Sequence, residues 1–115
     1  MPRFTRDGQV FNNPVEYALK KIGGKWKMPI LWRLREQKKR YSELKSSLAG
    51  ITHKMLSNQL RELEKDGLVT RFVHEVVPPR VDYELTRYGK SAIKLIEELR
   101  QWGLAAMKHD GIEHL

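Results

Sequence analysis

RYSELKSSLAGITHKMLSNQLRELEKDGLVTR, residues 40–71, decides the fold. Ser42 is placed to cap a helix whose core residues are Leu44 and Leu48. Ala49-Gly50-Ile51 makes a tight turn. Thr52 caps a second helix running to about Asp66, and Gly67 ends it. On a helical wheel of that helix Leu56, Leu60 and Leu63 point one way, while Lys54, Asn58, Arg61 and Lys65 point the other. Two short helices joined by a three- or four-residue turn containing glycine form a helix-turn-helix pattern.

Downstream, residues 69–76 are rich in β-branched types and read as a strand. Residues 77–80, with a double proline, are a loop. Val81, Tyr83 and Leu85 alternate with Asp82 and Glu84, the pattern of a half-buried strand. The two strands make a hairpin. Thr86 is placed to cap a final helix, in which Tyr88, Ala92, Leu95, Ile96, Leu99, Trp102, Gly103 and Ala106 keep helical spacing for five turns.

Upstream, residues 37–40 are a short basic connection. Before it a helix starts near Lys25 or Trp26, with Pro29 in its first turn and Trp26, Ile30 and Leu34 on one face. A first helix opens with Asn13 as N-cap, Pro14 at the first helical position and Glu16 completing a capping box. Val15, Ala18, Leu19 and Ile22 form its apolar stripe, and Gly23-Gly24 stops it. Residues 1–12 lack periodicity and read as a flexible arm, 13–108 as one domain, and 109–115 as a tail. The expected fold is mainly α with a small β-hairpin, a winged helix-turn-helix in the order α-α-α-α-β-β-α.

The chain has 115 residues, 22 Lys and Arg against 14 Asp and Glu, and a formal net charge of +8. That balance favours polyanionic partners. Residues 20–45 hold ten basic and two acidic side chains, so this stretch accounts for the whole excess. There is no cysteine, which excludes disulfides, zinc-thiolate sites and a thiol switch within these residues. Residues 1–10 contain no apolar core of a secretory signal, and the longest apolar run, 28–32, is far too short to span a bilayer. A cytoplasmic location without membrane association is expected.

Shape then suggests chemistry. A helix about 10–12 Å wide fits the major groove of duplex DNA, about 12 Å wide. Thr52, His53 and Lys54 sit at the N-terminus of the second helix of the pair, where free N–H groups favour phosphate. Ser57, Asn58 and Arg61 are the candidates for base edges, since arginine suits guanine and asparagine suits adenine. Lys65 is assigned to the DNA backbone. Arg80, at the hairpin tip, is a candidate for a minor groove. Lys38, Lys39 and Arg40 add phosphate affinity. The apolar face of the last helix (Leu95, Leu99, Trp102, Ala106) exceeds what a small core needs. With Val15, Ala18, Leu19 and Ile22 of the first helix it is read as a dimer interface. A homodimer matches two half-sites about 34–36 Å apart.

At Gly23-Gly24-Lys25-Trp26 the sequence begins to resemble the HxlR-type family of winged-helix regulators, relatives of the MarR group. The resemblance covers roughly residues 13–104. It is carried by GGKWKMPIL (23–31), residues 40–71 as quoted, VPPRVDYELTRYG (77–89) and Trp102-Gly103. It implies a homodimeric, sequence-specific DNA-binding transcription regulator, with repression of a pseudo-palindromic operator the expected mode. Its fourth helix would read the major groove, its wing would touch flanking DNA and its terminal helices would pair. Many similar proteins carry a sensing cysteine just before the Pro-Val-Glu stretch; here Asn13 stands there.

No phosphate-binding glycine loop, nucleophile with adjacent base or paired carboxylates argue for an enzyme. No catalytic residue, cofactor or metal is expected, although His109, Asp110 and His114 are a conceivable ligand set in the tail. A small-molecule effector between Tyr17, Trp26, Trp32 and Trp102 is a further candidate. The rival reading is a winged-helix module for protein or RNA without sequence-specific DNA binding.

Overall fold

The computed structural model describes residues 3–113. The chain opens with two strands, β1 (Phe4–Arg6) and β2 (Gln9–Phe11), paired antiparallel with Phe4 opposite Phe11. The described part of the stretch expected to be a flexible arm is therefore a hairpin. Its turn is Asp7-Gly8, both at positive φ (51° and 78°), as a tight two-residue hairpin turn requires. Phe11 is buried, and with Phe4 and Tyr17 it forms an aromatic cluster with ring centroids 5.0–5.5 Å apart.

Helix α1 (Pro14–Ile22) starts as expected: Asn13 Oδ1 accepts from Glu16 N–H at 2.8 Å. The return bond of the capping box goes one residue further out, from Asn12 N–H to Glu16 Oε2 at 2.9 Å. At the other end the Gly23 N–H donates to Leu19 O, so close that a side chain at Gly23 would strike that carbonyl. Helix α2 (Lys27–Arg33) follows, with Pro29 in its first turn.

Lys39–Arg40 is not merely a connection. It forms a short strand, β3, paired with the last strand of the wing. Helix α3 (Tyr41–Ser47) begins at once, so Ser42 lies inside it and does not cap it. The Arg40 N–H instead donates to Glu43 Oε1 at 2.9 Å. Helix α4 (His53–Lys65) is capped by Thr52, whose Oγ1 accepts from Met55 N–H at 3.1 Å. Strands β4 (Val69–His74) and β5 (Arg80–Leu85) make the wing, pairing from Val69 opposite Leu85 to His74 opposite Arg80. The sheet order is β3-β5-β4.

Thr86 does cap a helix, by accepting from Gly89 N–H, but that helix is a single turn, α5 (Arg87–Lys90). The long helix α6 (Ile93–His109) starts afresh. The Gly89 backbone lies so near Leu68 O that a Cβ there would overlap the carbonyl, which fixes α5 against the base of the wing.

The core lies among α2, α3, α4 and the wing base. Ile30, Leu31, Leu44, Leu56, Leu60 and Leu63 are its most deeply buried side chains, and Leu68, Val69, Leu85 and Ile96 close it. Each such aliphatic side chain contributes about 1.5–3 kcal/mol. The leucine stripe of α4 is wholly buried, so its opposite face must be turned outward.

Candidate nucleic-acid interface

The outward face of α4 carries Lys54, Asn58, Arg61 and Lys65, all exposed. Behind it, Leu56, Leu60 and Leu63 lock the helix to the core. Gly50, at φ 85°, makes the turn between α3 and α4, and buried Ile51 pins that turn, its N–H bonded to Leu48 O at 3.2 Å. On the outward face Arg61 Nη1 donates to Asn58 Oδ1 at 3.2 Å, so the two polar heads are already organised side by side.

The first turn of α4 is held by a residue the sequence reading missed. The Tyr41 hydroxyl lies 3.1 Å from His53 Nδ1 and 3.2 Å from Ser57 Oγ, and its ring stacks on His53. Ser57, expected at base edges, is thus partly buried and engaged with Tyr41. His53 and Ser57 support the helix N-terminus, while Lys54, Asn58 and Arg61 project. Thr52 is exposed with its Oγ1 committed to the cap.

The wing departs from expectation at Arg80. Its tip is residues 75–79; Arg80 is the first residue of β5, opposite His74. Its Nε forms an ion pair of 3.4 Å with Asp82 Oδ1, without hydrogen-bond alignment. Asp82 is 3% exposed, and its other oxygen lies 3.0 Å from His74 Nε2. Arg80 is therefore a braced residue at the base of the tip, not a free probe at its end. Arg71 was also missed. It is exposed on β4 and sits where two clefts meet. One is shared with Ser57, Arg61, Glu64 and Tyr83; the other lies under the wing tip beside Arg40 and Tyr41. Alternation from buried Val69 would place Arg71 inward, but β4 runs beyond the core and both its faces meet solvent. Tyr83 lies below Arg71. Burial raises its phenol pKa, and the Arg71 guanidinium opposes that rise only in part.

The basic stretch 20–45 does not form one face. Lys27 is buried and its Nζ donates to Glu62 Oε1 at 3.2 Å. Arg35 lies 4.0 Å over the Trp32 ring and Lys25 4.9 Å over Trp26. Arg33 Nη2 donates to Ser47 O at 3.2 Å. Lys38 and Arg40 are exposed and Lys39 is half-buried along the edge strand β3. Lys65 lies at the far end of α4, beside a cavity shared with α1.

A separate apolar surface runs along α1 and α6. Val15, Leu19, Leu95, Leu99 and Trp102 are exposed, Trp102 by 71%, and Ala18 and Ala106 are half-buried. Ile22, placed with them from sequence, belongs to the chain's own core instead. The four aromatics suggested for an effector do not gather: Tyr17 belongs to the N-terminal cluster, Trp26 and Trp32 each carry a cation, and Trp102 is exposed. In the tail His109 Nδ1 lies 3.1 Å from Asp110 Oδ1; His114 is outside the described residues. Among the described residues no helix is long and apolar enough to cross a membrane.

A family model, HxlR-like helix-turn-helix, matches residues 21–111. The chain belongs to this HxlR-like family. It is 52% identical over 93 residues to the uncharacterised HTH-type transcriptional regulator YtcD of Bacillus subtilis (strain 168), covering 81% of this chain and 74% of that one. Its structure is similar to that of the redox regulator HypR in its oxidised form, with a TM-score of 0.76 and 42% identity over 81% of this chain and 96% of that one. It is also similar to a MarR-family transcriptional regulator from Porphyromonas gingivalis W83, with a TM-score of 0.78 and 33% identity over 86% and 97% of the two chains. The HxlR-like chain thus shares the winged-helix fold and the transcription-regulator class of its relatives, a class of DNA-binding proteins that are not generally enzymes. A thiol mechanism of the kind a redox regulator can use has no residue here, because the sequence holds no cysteine.

Proposed function

We propose that this protein is a sequence-specific transcription regulator that binds a pseudo-palindromic operator as a homodimer and represses by occluding the DNA it covers. The observation that carries this reading is the α4 face: Lys54, Asn58 and Arg61 exposed on a helix whose opposite side is locked into the core.

In this reading α4 lies in the major groove. Asn58 and Arg61 meet base edges, and Lys54 with the free N–H groups of the helix start meets phosphate. Lys38, Lys39, Arg40 and Arg71 line the wing side and add sequence-independent affinity. Arg80, held at Nε by Asp82, contacts flanking backbone instead of entering a groove. Lys65 reaches backbone at the other end of the helix. Val15, Leu19, Leu95, Leu99 and Trp102 pair with a second copy, flanked by Ala18 and Ala106. Residues 13–108 with the hairpin before them act as one unit in the cytoplasm.

Selection from random-sequence duplex pools tests this reading. A recovered inverted repeat, with half-sites about one helical turn apart, is the expected result. Failure to enrich any sequence, with RNA or a protein captured instead, would favour an interaction module.

A further inference from the structure

Tyr41 opens α3, and its hydroxyl reaches three atoms of α4: His53 Nδ1 at 3.1 Å, Ser57 Oγ at 3.2 Å and the His53 carbonyl oxygen at 3.3 Å. Its ring lies nearly parallel to the imidazole, at 8°, with centroids 5.9 Å apart. Tyr41 is half-buried, while His53 is exposed and its Nε2 has no hydrogen-bond partner among the described residues.

A phenol has one proton to give, so the other contacts must be accepted. The Ser57 hydroxyl supplies the proton between Ser57 and Tyr41. The phenolic O–H then goes to His53 Nδ1, which is nearer than the carbonyl oxygen and more basic. In a neutral imidazole one nitrogen donates and the other accepts, and the bond made at one decides the other. An accepting Nδ1 leaves the proton on the exposed Nε2.

We propose that Tyr41 is a positioning residue for DNA binding: it holds His53 in the Nε2–H tautomer, and that N–H donates to a phosphate oxygen of the duplex. This rests on the reading in which α4 lies on DNA. A phosphate oxygen only accepts, so the opposite tautomer would turn a lone pair toward it. The surroundings suit a phosphate. Lys54 follows His53 on α4, and Arg40 and Arg71 flank Tyr41 in the cleft beneath the wing tip. Unlike these cations, a neutral His53 attracts the backbone only through the tautomer it holds.

Imidazole nitrogen shifts of the full chain, without DNA, read the tautomer at a pH where the same spectra show one proton per ring. The His53 signals are those lost in His53→Gln. The wild type should show an unprotonated Nδ1 and a protonated Nε2. Tyr41→Phe, which keeps the ring, should show a mixture of the two tautomers. Binding to random duplex tests the contact itself. Tyr41→Phe should weaken it about three- to tenfold. In His53→Gln the side-chain amide supplies N–H donors with no tautomer to set. Most affinity should remain there, and adding Tyr41→Phe should change little. His53→Ala should weaken binding at least as much as Tyr41→Phe but leave the salt slope unaltered, because an uncharged donor displaces no counterion. A protonated Nδ1 in the wild type, or a Tyr41→Phe loss equally large in the His53→Gln background, would overturn the proposal while DNA binding stands. A wild type with the expected tautomer that binds no duplex would overturn the phosphate contact and the DNA reading together.

Discussion

Arg61 Nη1 donates to Asn58 Oδ1 across 3.2 Å on the exposed side of α4. Bonds of this kind, three residues apart, limit the rotamers of both side chains before any partner arrives. Less ordering remains to be done on binding, which favours specific contacts. Arg61→Ala is predicted to weaken operator binding by about 1–3 kcal/mol and to relax one base position. Binding to random duplex should fall far less. Lys39→Ala should weaken both alike and lower the salt slope. Parallel titrations of operator and random DNA check the pair.

Leu99 and Trp102 are 49% and 71% exposed on α6 and lie outside the buried core, so a charge there leaves that core intact. Leu99→Glu is predicted to give a folded monomer by light scattering with an unchanged far-UV spectrum. Its operator affinity should fall to that of a single half-site. A dimer that survives this change would place the interface elsewhere.

Gly89→Ala drives a methyl group into Leu68 O. A loss of about 1–3 kcal/mol is expected from overpacking at this site, read as a lower urea midpoint with an unchanged slope. The same substitution at half-buried Gly103, where an added Cβ meets nothing, should raise stability slightly, because alanine is the better helix former.

Tyr83 titrates above its ordinary value because burial disfavours the phenolate. Once pH passes the ordinary value, about 10, the unfolded chain releases this proton before the folded one does. Stability from this group is therefore complete below about pH 10 and declines as pH rises through the folded value. Comparing urea midpoints of wild type and Tyr83→Phe from pH 8 to 11 isolates it: the wild type should lose more above pH 10.

Much of this architecture was legible because the sequence signals were local and strong. Thr52 and Asn13 cap where their chemistry says, and the α4 leucines are buried because their spacing leaves them no other face. What was misread depended on distant partners. Arg80 looked like a free tip residue until Asp82 and His74 folded beside it. Lys27 was one of the ten cations counted in residues 20–45 until Glu62, 35 residues away, met it. Arg71 broke the alternation because the wing outruns the core. The N-terminal hairpin was different: Asp7-Gly8 is a strong turn signal, flanked by short strands that were passed over for lack of periodicity.

The central claim is that the α4 face recognises DNA sequence. Fluorescence anisotropy of a labelled duplex from upstream of the protein's own gene, against a scrambled duplex of equal composition, tests it most directly at several salt concentrations. The account predicts a preference on the order of a thousandfold or more. It also predicts log affinity falling by about 0.9 per phosphate contacted with log salt. A folded dimer that binds neither duplex, with no dependence on salt, would contradict it.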